Sequence, residues 1–248
     1  MIKIKDLKKS FNGKRVLDGV NLEIDKGKIT VIIGRSGEGK SVLIKHIIGL
    51  LKPDSGQVFL EGEDLTKLDE REWNKTRRRF GMLFQGAALF DSMTVAENIG
   101  FPLREHTNLD YKDILETVKD KLKRVGLVGV ENMMPADLSG GMKKRVGLAR
   151  AIIMDPEIVL FDEPTTGLDP IMSDSIADLM LDTQEQLKTT YIAITHDILL
   201  TYKIADKIAM LHNGKIIEEG GSKDIKETKN PVVRQFIEGN AEGPIRVY

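Results

Sequence analysis

Apolar residues recur along this chain in two periods, and the periods alternate. The first 33 residues read as strands. Ile2, Ile4 and Leu7 fit an extended amphipathic segment, Asn12-Gly13 is a hairpin turn signal, and Val16, Val20, Leu22 and Ile24 fit a second strand. Ile29–Ile33 is a continuous β-branched run, the pattern of a strand buried on both faces, and it feeds directly into Gly34. Residues 40–51 carry a helical pattern that Pro53, Ser55 and Gly56 stop, and Gln57–Leu60 reads as a further strand. Asp69–Arg79 is dense in charge and predicts a solvated helix. Phe80–Phe84 predicts a short strand ending at Gln85. From Ala87 to Pro156 no buried strand is legible, and helical patterns fall at Val95–Ile99, Tyr111–Val125 and Gly141–Met154. Strand character returns at Ile158–Phe161 and Tyr191–Thr195, with helix over Met172–Lys188 between them. Ile208–His212 and Lys215–Glu218 flank another hairpin signal, Asn213-Gly214. The polar tail from Asn230, with Gly239, Gly243 and Pro244, is expected to leave the compact body. The pattern predicts an α/β chain with a helical block, about residues 87–156, inserted into a sheet.

Composition narrows what such a fold does. Lys and Arg total 37 against 38 Asp and Glu, a formal net charge of -1 over 248 residues, so no global basic field points to nucleic acid. The chain has no cysteine, which excludes a disulfide framework, a Cys-ligated zinc or iron–sulfur site and a thiol nucleophile. Its longest apolar runs are strand-sized, far short of the ~20 residues that span a bilayer. The opening MIKIKDLKKSF lacks the apolar centre of a secretion signal. The expectation is a cytoplasmic chain whose role at a membrane runs through a partner.

Three motifs carry chemistry. Gly34-Arg35-Ser36-Gly37-Glu38-Gly39-Lys40-Ser41 fits G-x-x-x-x-G-K-[ST] between a buried strand and a helix. Its glycines let the backbone wrap a phosphate with N–H groups pointing inward, and the helix N-terminus adds favourable partial charge. Lys40 would reach the β- and γ-phosphates, and the Ser41 hydroxyl would ligate Mg²⁺, with Val42 following in the helix. Second, Ile158–Phe161 ends in Asp162 and Glu163, two carboxylates at the C-terminal end of a core strand, where open α/β sheets bind ligands. Asp162 can hold Mg²⁺ and Glu163, on the opposite face, can polarise a water for attack on the γ-phosphate. Third, Leu138-Ser139-Gly140-Gly141-Met142 opens an apolar helical stripe, with Ser139 suited to the N-cap and two glycines exposing N–H groups to an anion.

Together these motifs resemble the ATP-binding cassette (ABC) family of transporter ATPases. The loop at Gly34 is similar to its Walker A, the strand ending in Asp162 and Glu163 to its Walker B, and Leu138–Met142 to its signature motif. The likeness extends to Gln85 at the Q-loop, Thr166–Asp169 at the D-loop, His196 at the switch histidine and Phe11 at the adenine-stacking aromatic. It covers about residues 1–225. The resemblance implies a P-loop NTPase (RecA-like) core with an N-terminal antiparallel β subdomain and an inserted helical subdomain, residues 226–248 being a C-terminal extension. It implies ATP and Mg²⁺, with Ser41, Gln85 and Asp162 at the metal and Glu163, Gln85 and His196 in catalysis. It further implies a head-to-tail dimer of two copies, in which Ser139, Gly140, Gly141 and Asp169 of one copy meet the ATP of the other. Two departures stand out. The signature carries Met142 where the family commonly has Gln, and the adenine platform is Phe11 rather than Tyr.

The strings LSGGMKKRVGLARA, GRSGEGKSVLIKHIIGLLKPDSG and QGAALFDSMTVAENIGFPL are similar to the Mla/Mce group of that family, which energises traffic of phospholipid or other hydrophobic substrates. That likeness implies a separate permease, an Mce-domain protein in the same complex, no nucleic acid, and a peripheral place on the inner face of the cytoplasmic membrane. The apolar stretch after Gln85 (Ala87, Leu89, Phe90, Met93, Phe101) would suit a permease helix or the block's own core. Rival readings fit less well. A GTPase needs N-K-x-D, and Asn74-Lys75-Thr76-Arg77 lacks the Asp. Non-transport ABC ATPases usually carry coiled coils, zinc cysteines or two cassettes.

Overall fold

The structure, a computed structural model, describes residues 1–246. In chain order the elements are β1 (Ile2–Phe11), β2 (Lys14–Ile24), β3 (Ile29–Ile33), α1 (Lys40–Ile47), β4 (Ser55–Leu60), β5 (Glu63–Asp64), α2 (Glu70–Thr76), β6 (Phe80–Leu83), α3 (Val95–His106) and α4 (Tyr111–Arg124). There follow α5 (Gly140–Ala151), β7 (Ile158–Asp162), α6 (Pro170–Leu187), β8 (Thr190–Thr195), α7 (Ile198–Ile204), β9 (Lys207–His212), β10 (Lys215–Gly220), α8 (Ser222–Lys226) and α9 (Pro231–Glu238). They form two units: Met1–Arg77 with the chain from Ile192 onward, and Arg78–Tyr191.

The first unit holds an antiparallel sheet in the order β2-β1-β4-β5. Its register sets Ile2 opposite Ile24 and Leu60, and Ile4 opposite Leu22 and Val58. All six are buried, because strand alternation sends them to one face. The Asn12-Gly13 turn joins β1 to β2 with positive φ at both residues, 50° and 77°, the hand that matches strand twist. Elsewhere in this unit β9 runs parallel to β3 and antiparallel to β10, the latter pair closed by Asn213-Gly214 at φ 48° and 74°. All five residues of β3 are buried, as a β-branched run on a two-faced strand should be.

The sequence leads one to expect the tail to leave the body, but up to Arg246 it folds back. Asn230 caps α9 by accepting from the Val232 N–H, Val233 is fully buried, and Gly239 ends the helix at φ 70°. Buried Gln235 then pins the last turn: its Oε1 accepts from the Ile245 N–H at 2.6 Å and its Nε2 donates to the Ile245 carbonyl at 3.1 Å. A single glutamine inside a polar stretch hid this from the pattern.

In the second unit β6 and β7 pair in parallel, from Phe80 opposite Ile158 to Leu83 opposite Phe161. Between them the chain is helical: α3, α4 and α5, with no strand among residues 84–157. Thr94 and Glu97 form a capping box at the start of α3, and Asp110 caps α4. Helix α3 continues through Pro102 to His106, past the Ile99 at which the pattern stopped. Fully buried Asn98 takes the Phe90 N–H and donates to the carbonyls of Phe90, Met93 and Thr94, which fixes the loop ahead of the helix. Among the described residues no helix is long and apolar enough to cross a membrane.

Candidate active site

The phosphate loop grows out of backbone geometry. β3 delivers the chain to Gly34 at φ 153°, where a Cβ would stand 2.4 Å from the Leu211 carbonyl oxygen. Only glycine lets β3 end so close to β9. Gly39 precedes α1 at φ 97°, and a Cβ there would stand 2.9 Å from Val16. Helix α1 starts with no side-chain cap and no acidic residue in its first turn, so the partial positive charge of its N-terminus favours an anion there. Lys40 is only 6% exposed. Its ammonium arches back over the loop, donating to the carbonyls of Gly34 at 2.7 Å and Arg35 at 3.1 Å. Ser41 and Val42 are half-buried in the first turn.

The loop's own acid is turned away. Glu38 accepts from the Asn213 N–H at 2.6 Å and stands 3.2 Å from Nδ1 of His212, so the β9–β10 hairpin holds a carboxylate that would otherwise oppose a phosphate. Arg35 donates to the carbonyl of Arg246 at 3.0 Å, which joins the tail to the loop. Phe11, at the end of β1, is 39% exposed, and the Lys9 ammonium lies 5.5 Å from its ring centroid. Lys9 is itself held by Asp54 and the Lys52 carbonyl. His196 follows β8 and is exposed, just ahead of Asp197, which caps α7.

The carboxylate turn lies in the second unit. β7 is buried from Ile158 to Phe161, and Asp162 and Glu163 emerge half-buried. Glu163 has φ 50°, so strand alternation stops there and does not set where its side chain points. A non-glycine residue in that region carries roughly 1–2 kcal/mol of strain. Neighbours accept the conformation: the Thr166 N–H donates to the Glu163 carbonyl at 3.3 Å, and the Thr166 hydroxyl stands 3.4 Å from its Oε2.

Helix α5 organises what surrounds that turn. Ser139 caps it, accepting from the Met142 N–H at 3.3 Å, so Met142 contributes through its main chain. Gly140 is exposed, and a Cβ on Gly141 would stand 2.2 Å from Cε of Met172. Farther along, Lys144 is buried and donates to the carbonyls of Gln85 and Glu163, the second at 3.3 Å. Burial pushes its pKa below the ordinary lysine value, against the pull of Asp162 and Glu163. Arg150 donates to the carbonyls of Ala87 and Ala88, which have φ 61° and 47°. Gln85 therefore sits in a loop held by its carbonyls, its side chain exposed. Asp169 caps α6 with Oδ1, accepting from the Ile171 and Met172 N–H groups at 3.0 Å each. Of the apolar residues after Gln85, Ala87 is buried in the block, whereas Phe90 is 44% exposed and meets the Phe101 ring at a tilt of 51°, centroids 5.1 Å apart.

Sequence reasoning missed Lys144, Arg150 and the Glu38–His212 contact. The available signal was a lysine on the buried face of α5, four residues before Leu148.

Known proteins are similar to this chain in sequence and in fold. The ABC transporter profile matches residues 17–166. The intermembrane phospholipid transport system ATP-binding protein MlaF of Haemophilus influenzae is 42% identical over 246 residues, 99% of this chain and 93% of that protein. The probable ribonucleotide transport ATP-binding protein mkl of Mycobacterium leprae is 41% identical over 244 residues, 98% of this chain and 70% of that protein. Among solved structures, the ATP-binding cassette MJ0796, described as a dimeric post-hydrolysis state with ADP and Pi, superposes with a TM-score of 0.82 at 31% identity. That match covers 90% of this chain and 99% of that one. The profile over residues 17–166, with relatives and a solved cassette matched along nearly the whole length, places the chain in the ABC transporter family, as an ATP-binding and ATP-hydrolysing cassette.

Proposed function

We propose that this chain powers the movement of phospholipid or another hydrophobic substrate through a separate membrane permease, peripherally on the cytoplasmic face of a membrane. The cargo reading rests on the Haemophilus relative, matched over 93% of its length. The mycobacterial relative's name favours ribonucleotide as a second reading, with 70% of that protein matched. Two copies of the chain act head to tail, and an Mce-domain protein completes the complex. Ser139, Gly140, Gly141 and Asp169 of one copy meet the nucleotide held on Gly34–Val42 of the other. Half-exposed Phe84 and Phe90 are apolar points for a permease helix.

In this mechanism the α1 N–H groups and Lys40 bind the phosphates, and Phe11 offers adenine the ring face away from Lys9. Ser41, Gln85 and Asp162 would hold Mg²⁺. They are hard oxygen donors, the kind Mg²⁺ takes alongside its waters and substrate phosphates. Bound there, the ion would offset phosphate charge. Glu163 takes a proton from water as the water oxygen bonds to the γ-phosphorus and the bond from that phosphorus to the ADP oxygen breaks. His196 holds the water and the γ-phosphate. Binding closes the two copies and drives the permease, and hydrolysis reopens them.

The observation that carries the chemistry is Glu163 standing in a braced left-handed turn just beyond β7. Glu163→Gln is expected to lower phosphate release by roughly 10²–10⁴-fold while ATP binding persists. Hydrolysis at the wild-type rate overturns the base assignment. For the cargo, ATP turnover of the full complex in vesicles should respond to phospholipid and not to ribonucleotide. The reverse response selects the second reading.

A further inference from the structure

The parallel register of β6 and β7 sets Leu83 opposite Phe161. Gln85 and Glu163 each lie two residues beyond that pair, so two functional loops leave the second unit side by side. One side chain touches both: Lys144 donates to the carbonyl of Gln85 and to the carbonyl of Glu163. Lys144 is 5% exposed, and it sits one helical turn past the signature glycines of α5. Burying an ammonium is costly unless its donors are satisfied, and an apolar residue would fill the same space without that demand. Here donors go to main-chain oxygens of two different loops, beside the charges of Asp162 and Glu163.

We propose that Lys144 is a positioning residue for ATP hydrolysis, tying the Gln85 loop and the Glu163 turn to the signature helix so that the three move as one body. The inference rests on Glu163 acting as the base.

Three features of α5 fit that role. Gly147, one turn farther on, allows the close approach, since a Cβ there would stand 2.7 Å from Cδ1 of Leu83 and 3.1 Å from the Ala87 Cβ. Arg150 continues the attachment by holding the carbonyls of Ala87 and Ala88. Lys144 also supplies the Glu163 carbonyl with a donor at the point where the backbone is strained, in addition to the Thr166 N–H. A pull on the signature, from a nucleotide held by a second copy, therefore reaches both loops through one bond network. The Glu163 carboxylate keeps its place only while its own carbonyl is anchored.

The test compares Lys144→Met, which keeps the stem and removes the donors, with Lys144→Arg, which keeps donors for two carbonyls. In the full chain K144M should lose kcat by roughly tenfold or more, with the KM for ATP within about twofold, because misplacement of the base affects the chemical step rather than binding. K144R should retain kcat within about threefold of wild type. Wild-type turnover by K144M, or equal loss in K144M and K144R, overturns the proposal. So does a lowered Tm with unchanged kcat per folded, nucleotide-binding chain, the signature of a merely structural lysine. Should K144M fail to fold, K144R against the shorter K144Q decides, and equal kcat in that pair overturns it. Glu163→Gln is measured alongside. If E163Q still hydrolyses ATP, the base reading fails. If E163Q is inactive and K144M turns over normally, only the role of Lys144 falls.

Discussion

At the end of β3 the chain turns through Gly34, and at the end of β7 it turns through Glu163. The first turn is made by what is missing. Gly34 and Gly39 carry no Cβ, the backbone fits against Leu211 and Val16, and the ammonium of Lys40 folds onto carbonyls of its own loop. The second turn is made by what reaches it from elsewhere. Lys144 holds the Glu163 carbonyl from α5, and the same helix holds Gln85, Ala87 and Ala88. A phosphate cradle is a fixed shape that eight consecutive residues can encode. The carboxylate turn is held relative to other groups, by supports that come from elsewhere along the chain.

Substitutions can break that contrast. Gly34→Ala should have the largest effect. Its Cβ would overlap a main-chain oxygen that cannot move aside, at a φ other residues avoid, so we expect a loss of about 3 kcal/mol or more in unfolding free energy. Gly37→Ala, at φ 83° with no atom within 4 Å of the new Cβ, should cost only about 1–2 kcal/mol. Denaturant melts of the two compare them directly, and equal losses would mean that overlap with Leu211 does not govern the loop. Next, Lys40→Ala should weaken ATP binding on the order of 30-fold or more, a loss of about 2 kcal/mol or above, measured by equilibrium titration. Unchanged binding would sink the loop assignment. In the carboxylate half, Gly147→Ala should cost about 1–3 kcal/mol by pushing α5 off Leu83 and Ala87. It should lower turnover while leaving ATP affinity intact. A loss of affinity instead would mean the two halves are not separable.

The smallest effect concerns acid. Burial in α1 pushes the His46 pKa below its ordinary 6.5, with Nδ1 2.7 Å from the Val42 carbonyl. The unfolded chain takes up a proton near pH 6.5 and the folded chain does not. Stability is therefore full above that pH and declines as pH falls below it toward the depressed folded value. His46→Gln should flatten this part of the pH–stability curve, and an unchanged slope would place the acid sensitivity elsewhere.

The contrast also explains what the sequence made legible. The strand–turn–helix at Gly34–Ser41 could be read because its parts are contiguous and its glycines mark the turn. Ile158–Phe161 could be read because a wholly apolar run has few other uses. Lys144 could not, because beside Lys143 and Arg145 it looks like one more charge on a helix, and only burial separates it from its neighbours. Glu163 was placed on the face opposite Asp162 by alternation, but a φ of 50° is invisible to a period-two pattern. Motif alone suggests roles for Asp162 and Asp169, whereas the capping of α6 by Asp169 follows from a local rule, Asp ahead of Pro170. The tail was misjudged because Gln235 acts as a buried clamp within a segment whose composition is that of a loop.

The first unit is closed by strands made late. β3 leaves the ribosome with four apolar residues and Thr30, and its parallel partner β9 begins about 170 residues downstream. At ~5–20 residues per second, β3 waits on the order of 10–35 s for that neighbour. The antiparallel sheet of β1, β2 and β4 needs only the first 60 residues and can form meanwhile. During synthesis this unpaired apolar strand is one of the chain's exposures to aggregation.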